Sequence, residues 1–224
     1  MHMGRSPYGV QVSMSLIVIS HHSDPNQSQD FRASAERHGV PLAMLGYHDD
    51  AHAPDFVAFI RQRPEDYVIL TDAFDVLVSR WDAGEVESLI SAEPTGILHS
   101  CESDCWPSGP WSASYADPHG IWFAINGGQS CGRREAVAAM IEENQKYIST
   151  AGGGNQERYH RMRMDGYPMG LDTECRIFQS MSGRSSSLVE CRDGQMYNTV
   201  TRTFPMFGHW NGRTDIGAWT QWLA

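Results

Sequence analysis

Lysine is almost absent from this 224-residue chain: of 17 basic residues, Lys146 is the only lysine and the rest are arginine. With 27 acidic residues the formal net charge is −10, which disfavours non-specific attraction to nucleic acid. Long apolar runs are also missing. Nothing approaches the roughly 20 residues that span a bilayer. The N-terminal stretch Leu16 to Ile19 is too short for the core of a secretory signal. These absences predict a cytoplasmic protein with no membrane partner. Cysteine is sparse as well. The five residues Cys101, Cys105, Cys131, Cys175 and Cys191 are odd in number and scattered, which argues against a disulfide framework and for buried free thiols. His99, Cys101 and Cys105 lie close together, but no second pair has zinc-ligand spacing. No repeat or low-complexity tract stands out, and the length predicts a single domain over residues 1–224.

What is present is regular in the first half. Leu16 to Ile19, Val40 to Leu45, Tyr67 to Thr71 and Gly96 to His99 are short apolar runs that predict strands. Gln27 to His38, Pro54 to Arg61 and Glu85 to Ile90 predict the helices between them. Strand–helix alternation is the pattern of parallel βαβ units, so the fold class is α/β, and ligands are expected beyond the carboxyl ends of the strands. The second half is less regular. Residues 101–118 predict a long loop, 119–125 a strand, 133–147 and 155–164 helices, with short strands at 175–179, 196–201 and 204–207.

Three segments carry chemistry. Asp72 and Asp75 follow the apolar third strand and can present hard oxygens to Mg²⁺ or Mn²⁺; a polar turn with Asp72 as a helix cap is the competing reading. His209 lies in the glycine-flanked segment Phe207 to Arg213. There its imidazole can reach a metal, while Asn211, the Gly212 amide and Arg213 suit phosphate oxygens. Leu171 to Gln179 is by itself an acidic turn, capped by Asp172, that enters a strand.

In this order the segments resemble the glycosyltransferase domain of the collagen lysyl hydroxylases and related procollagen glycosyltransferases. Further landmarks are Ser100 to Pro107, with its Cys-Trp-Pro, the Gly127-Gly128 pair, expected as a turn before a helix, and the stretch ending at Gln156. The resemblance runs from about Leu16 to Asp215. It implies a GT-A fold with a single Rossmann-like mixed sheet flanked by helices, Mn²⁺ (or Mg²⁺) as cofactor, and UDP-glucose or UDP-galactose as donor. It assigns Asp72, Asp75 and His209 to the metal. Phe74 is placed against the nucleotide, Ser20 and His21 near the uracil or ribose, and Glu102 and Trp106 at the sugar or acceptor. The family's acidic run before Gln156 has lost its last aspartates to Gly154 and Asn155. The catalytic group is therefore sought among Asp172, Glu102 and Glu157, beside Asn155 and Gln156. Asp215 stands where the family has lysine, and Arg213 is expected to take over its phosphate contact. The acceptor is a hydroxyl: a hydroxylysine-like group, a hydroxymethylated base in DNA, or a lipid or polysaccharide. For DNA, Arg158, Arg161 and Arg163 are the residues to grip the backbone.

Overall fold

A computed structural model describes residues 16–22, 25–46, 53–115, 120–148, 154–211 and 216–223. Strand β1 (Leu16–His22) opens with the aliphatic run Leu16 to Ile19, which is buried on both faces. Such a run suits the interior of a parallel sheet. It lies between β2 (Leu42–Gly46) and β3 (Tyr67–Asp72), parallel to both. Helices α1 (Gln29–Arg37) and α2 (Ala53–Arg61) fall between these strands in sequence, as expected. Each turns a buried stripe inward, Phe31 and Ala35 on α1, Val57 and Ile60 on α2.

Beyond β3 the sheet becomes mixed. Helix α3 (Ala83–Ala92) starts at Asp82, whose carboxylate accepts from the Glu85 N–H at 3.0 Å. Strands β5 (Ile97–Glu102), β6 (Ala124–Arg133) and β7 (Gly170–Leu171) complete a six-stranded sheet ordered β2-β1-β3-β6-β5-β7. β6 is antiparallel to both β3 and β5. Two expectations need correction here. The strand expected over 119–125 lies at 124–133, and Gly127-Gly128 sit inside it, not in a turn. Glycines weaken the sequence signal of a strand and mark places where other groups come close. A Cβ on Gly127 would lie 2.9 Å from Gln156 Cα. Helices α4 (Arg134–Gln145) and α5 (Gly154–Met164) follow β6.

The remaining strands form elements that no single-sheet expectation contained. β4 (Val76–Val78), β8 (Phe178–Ser180) and β11 (Phe207–His209) make a three-stranded sheet in the order β4-β11-β8. β9 (Val189–Arg192) and β10 (Gln195–Asn198) form a hairpin. Its turn residues Asp193 and Gly194 both have positive φ, 51° and 75°, the pairing a tight hairpin favours. Compared with expectation, the late strands are shifted by a few residues, and helix α6 (Gly217–Leu223) was not foreseen. Among the described residues no helix is long and apolar enough to cross a membrane. All five cysteines are free, and Cys101, Cys131 and Cys175 are buried.

Candidate active site

The end of β3 and the short strand β4 bring the two aspartates together, and the second sheet supplies the histidine. β11 pairs antiparallel with β4, setting His209 opposite Val76, and the Trp210 N–H donates to the Asp75 carbonyl at 2.8 Å. His209 Nε2 therefore lies 3.5 Å from Asp72 Oδ2 and 3.2 Å from Asp75 Oδ1. One ligand atom from each of the three residues fits within 4.8 Å of the others. Burial works against a charge on His209, but the carboxylates of Asp75 and Asp72 outweigh it and hold the imidazole above its ordinary value.

Three features fit this set to a divalent cation. Asp75 Oδ1 is buried and finds no partner of hydrogen-bonding geometry among the described residues. Two carboxylates and one imidazole are a donor set that Mn²⁺ or Mg²⁺ accepts. Gly128 leaves the room: a Cβ there would stand 2.3 Å from His209 Cε1 and 2.5 Å from Asp72 Oδ2.

These groups open onto a cleft of about 410 Å³. Phe74 and Trp106 line it and are 54% and 63% exposed, unusual for aromatics and suited to stacking on a ligand. Asn155, Gln156 and Asn211 also line it. Sequence reasoning missed Gln129 and Asn144, which lie on the cleft wall. Gln129 Oε1 and Asn144 Nδ2 are buried without partners among the described residues. Nothing in the sequence set them apart, since Asn126 and Ser130 share the strand and Glu142, Glu143 and Gln145 surround Asn144 on the helix.

Glu102 does not line the cleft. It is buried behind it and accepts from Asn126 Nδ2 at 3.0 Å, from Asn211 Nδ2 at 2.9 Å and from Gln156 Nε2. Burial pushes its carboxyl above the usual range, and the amide donors pull part of the way back. Gln156 also takes the Gly127 N–H on its Oε1 at 2.9 Å and donates to the Trp106 carbonyl at 2.6 Å. His160 Nε2 reaches the same carbonyl at 3.0 Å while its Nδ1 meets Tyr115 Oη at 2.8 Å. The exposed Trp106 ring is thus carried on a well-anchored backbone.

Other expected residues are placed elsewhere. Asp172 is buried outside the cleft, and its oxygens accept from the backbone N–H groups of Arg176, Ile177 and Phe178 at 2.8–3.0 Å. It caps the approach to β8 and does not line the cleft. Ser20 is buried, donating to the Thr71 carbonyl at 2.9 Å. His21 pairs in register with Asp72. Gly212 and Arg213 lie outside the described residues. The expected row of DNA-gripping arginines does not form. Arg158 is buried. Arg161 is paired with Glu157 at 2.6 Å and lies over the Trp111 ring. Arg163 lies over Tyr115, and none of the three lines the cleft.

Comparison with known proteins decides the family. The PLOD GT domain model matches residues 14–218, nearly the whole chain. This chain belongs to the PLOD GT domain family. A Drosophila melanogaster procollagen-lysine,2-oxoglutarate 5-dioxygenase is 24% identical over 183 residues, 75% of this chain and 24% of its own length. An uncharacterised protein of Acanthamoeba polyphaga mimivirus is 26% identical over 116 residues, 52% of this chain and 24% of its own length. The chain thus spans about a quarter of the length of the curated relatives it matches. Among solved structures, a glycosyltransferase involved in glycosylation of the major capsid of PBCV-1 superposes with a TM-score of 0.56. That match is at 14% identity and covers 93% of this chain and 98% of the other. The likeness shows the fold. This PLOD GT domain is a glycosyltransferase domain with the mixed α/β architecture of the GT-A type, and its candidate metal centre sits at the carboxyl end of a central strand.

Proposed function

We propose that this domain transfers a hexose from UDP-glucose or UDP-galactose to an acceptor hydroxyl, with Mn²⁺ or Mg²⁺ held by Asp72, Asp75 and His209. The observation that carries the reading is the unfilled Asp75 oxygen facing an imidazole at 3.2 Å on the rim of a ligand-sized cleft. A divalent cation bound there neutralises the diphosphate of a nucleotide-sugar and its charge on departure. The rest falls to the protein. Phe74 and Trp106 offer flat apolar faces to the base and the sugar. Gln129 and Asn144 set side-chain amides into the cleft wall. Gly127 and Gly128 keep the floor of the cleft low. Arg213 and the Gly212 amide suit the phosphates by their chemistry.

For the acceptor, the Drosophila relative's name points to a hydroxylysine-like group. The tied-up arginines weigh against DNA. The test is UDP release from each donor with Mn²⁺, with and without candidate acceptors, hydroxymethylated DNA among them. Release is expected to stop with chelator and in Asp75→Ala; release indifferent to chelator sinks the metal assignment.

A second reading, nucleotide-sugar binding without transfer, draws on one observation. Among the described residues, Asp72 and Asp75 are the only acids lining the cleft, and Gly154 and Asn155 stand where the resembled family has aspartates. Tight UDP binding with no release on any acceptor would favour it.

A further inference from the structure

Asn126, on β6, faces two partners with opposite needs. Its Nδ2 donates to Glu102 Oε2 at 3.0 Å. Its Oδ1 accepts from the Gly128 N–H at 3.1 Å and lies 3.0 Å from His209 Nδ1. Turning the amide over would set its NH₂ against the Gly128 N–H and its oxygen against a carboxylate, so only one orientation satisfies the network. An amide oxygen can only accept. His209 Nδ1 therefore carries a hydrogen, and Nε2 is the nitrogen left to face Asp72 and Asp75. Glu102 is the fixed point behind this arrangement. It is 3% exposed, one of its oxygens is shared by Asn126 and Asn211, and the other takes Gln156.

We propose that Glu102 and Asn126 are positioning residues that act through His209: the carboxylate fixes the amide, and the amide fixes the imidazole tautomer that offers Nε2 to the ion. The ligand set is then oriented before the ion arrives. A histidine ligand whose other nitrogen donates to an oriented oxygen is the usual way proteins set a metal site. The same carboxylate holds Gln156, so the ion side of the cleft and the first turn of α5 share one buried anchor. Glu102 lies behind the cleft wall with three amide donors on its oxygens, so its part is orientation. The inference rests on Asp72, Asp75 and His209 holding a divalent ion.

The test uses the full chain and Mn²⁺ alone, with affinity read from the free-ion paramagnetic resonance signal during titration. Asn126→Ala and Glu102→Ala are each expected to weaken binding by ~10–100-fold, the range for partners of metal ligands. The double variant is expected to bind no worse than the weaker single one, because both act along one path. Losses that multiply, or an unchanged affinity in Asn126→Ala, overturn the relay. A measurement on the unaltered protein guards against misfolded variants. With saturating Mg²⁺ at mildly alkaline pH, ¹⁵N resonances of His209, assigned by their loss in His209→Gln, are expected to show the proton on Nδ1. A proton on Nε2 overturns the proposal. If the unaltered protein binds no Mn²⁺, the metal reading itself fails; if it binds and Asn126→Ala binds equally, only the positioning role fails.

Discussion

Asp75 and Asp172 are both acids at the edge of a strand, yet their oxygens are used in opposite ways. Asp172 gives one oxygen to the Arg176 N–H at 3.0 Å and the other to Ile177 and Phe178 at 2.8 and 2.9 Å. Its acceptor capacity serves the backbone, and it holds the entry to β8 in shape. Asp75 Oδ1, buried as well, meets only an imidazole at 3.2 Å, without a hydrogen bond among the described residues. A carboxylate filled by its own chain is part of the framework. One left open beside a second carboxylate and a histidine is a candidate site for a cation. The histidines repeat the lesson. His99 is fully buried away from carboxylates, against the Met140 sulfur and the Tyr159 ring, and burial drives its pKa down to about 3. His209, equally buried, is held above its ordinary value by Asp75 and Asp72.

The contrast can be broken most directly at the open carboxylate. Asp75→Ala is expected to cut transfer by roughly 1,000-fold, the several kcal/mol a bound cation supplies, and to leave the melting temperature near that of the parent. A calorimetric scan beside the UDP-release assay checks both halves. Asp172→Ala is expected to do the reverse. It orphans the buried amides of Ile177 and Phe178 and the part-buried one of Arg176, and costs about 3 kcal/mol of stability by denaturant titration, while Mn²⁺ affinity below the unfolding transition stays within a factor of a few. If Asp172→Ala stops turnover without loss of stability, the framework reading of that residue is wrong.

His99 gives the comparison a pH axis. Held neutral in the fold, it takes a proton only in the unfolded chain between its ordinary value near 6.5 and about 3. The unfolded state therefore gains as pH falls through that window. Stability should drop by about 2 kcal/mol between pH 7 and pH 5 from this group alone, and His99→Leu should flatten that limb. The smallest effect is expected at Phe74. Because its ring is 54% exposed, Phe74→Ala should change stability by less than about 0.5 kcal/mol while raising KM for the donor several-fold. An unchanged KM would remove Phe74 from the donor site.

The first half of the fold was legible because β1, α1, β2, α2 and β3 each announce themselves by apolar run or helical period. β6 was misplaced because the feature that makes it useful, glycines under the cleft, also erases its strand pattern. The candidate metal set was legible as residue types in order, and the family resemblance joined them. Spacing alone left Asp72 open to a helix-cap reading. The roles of Glu102 and Asp172 were hidden for one physical reason: a carboxylate's function depends on which donors reach it, and those donors come from distant segments. Glu102 is served by β6, α5 and the residue two beyond His209. Gln129 and Asn144 carry no charge and form no motif, so only the folded surroundings mark them.

The hydrogen bond from Trp210 to the Asp75 carbonyl stitches the last strand of the chain to a short strand formed far earlier. Until β11 docks, the two carboxylates face each other with no imidazole between them. If Asp72, Asp75 and His209 hold an ion as proposed, its capture reports on the docking of β11: partial products ending before His209 would lack one ligand, and a bound ion would strengthen the closure between β4 and β11.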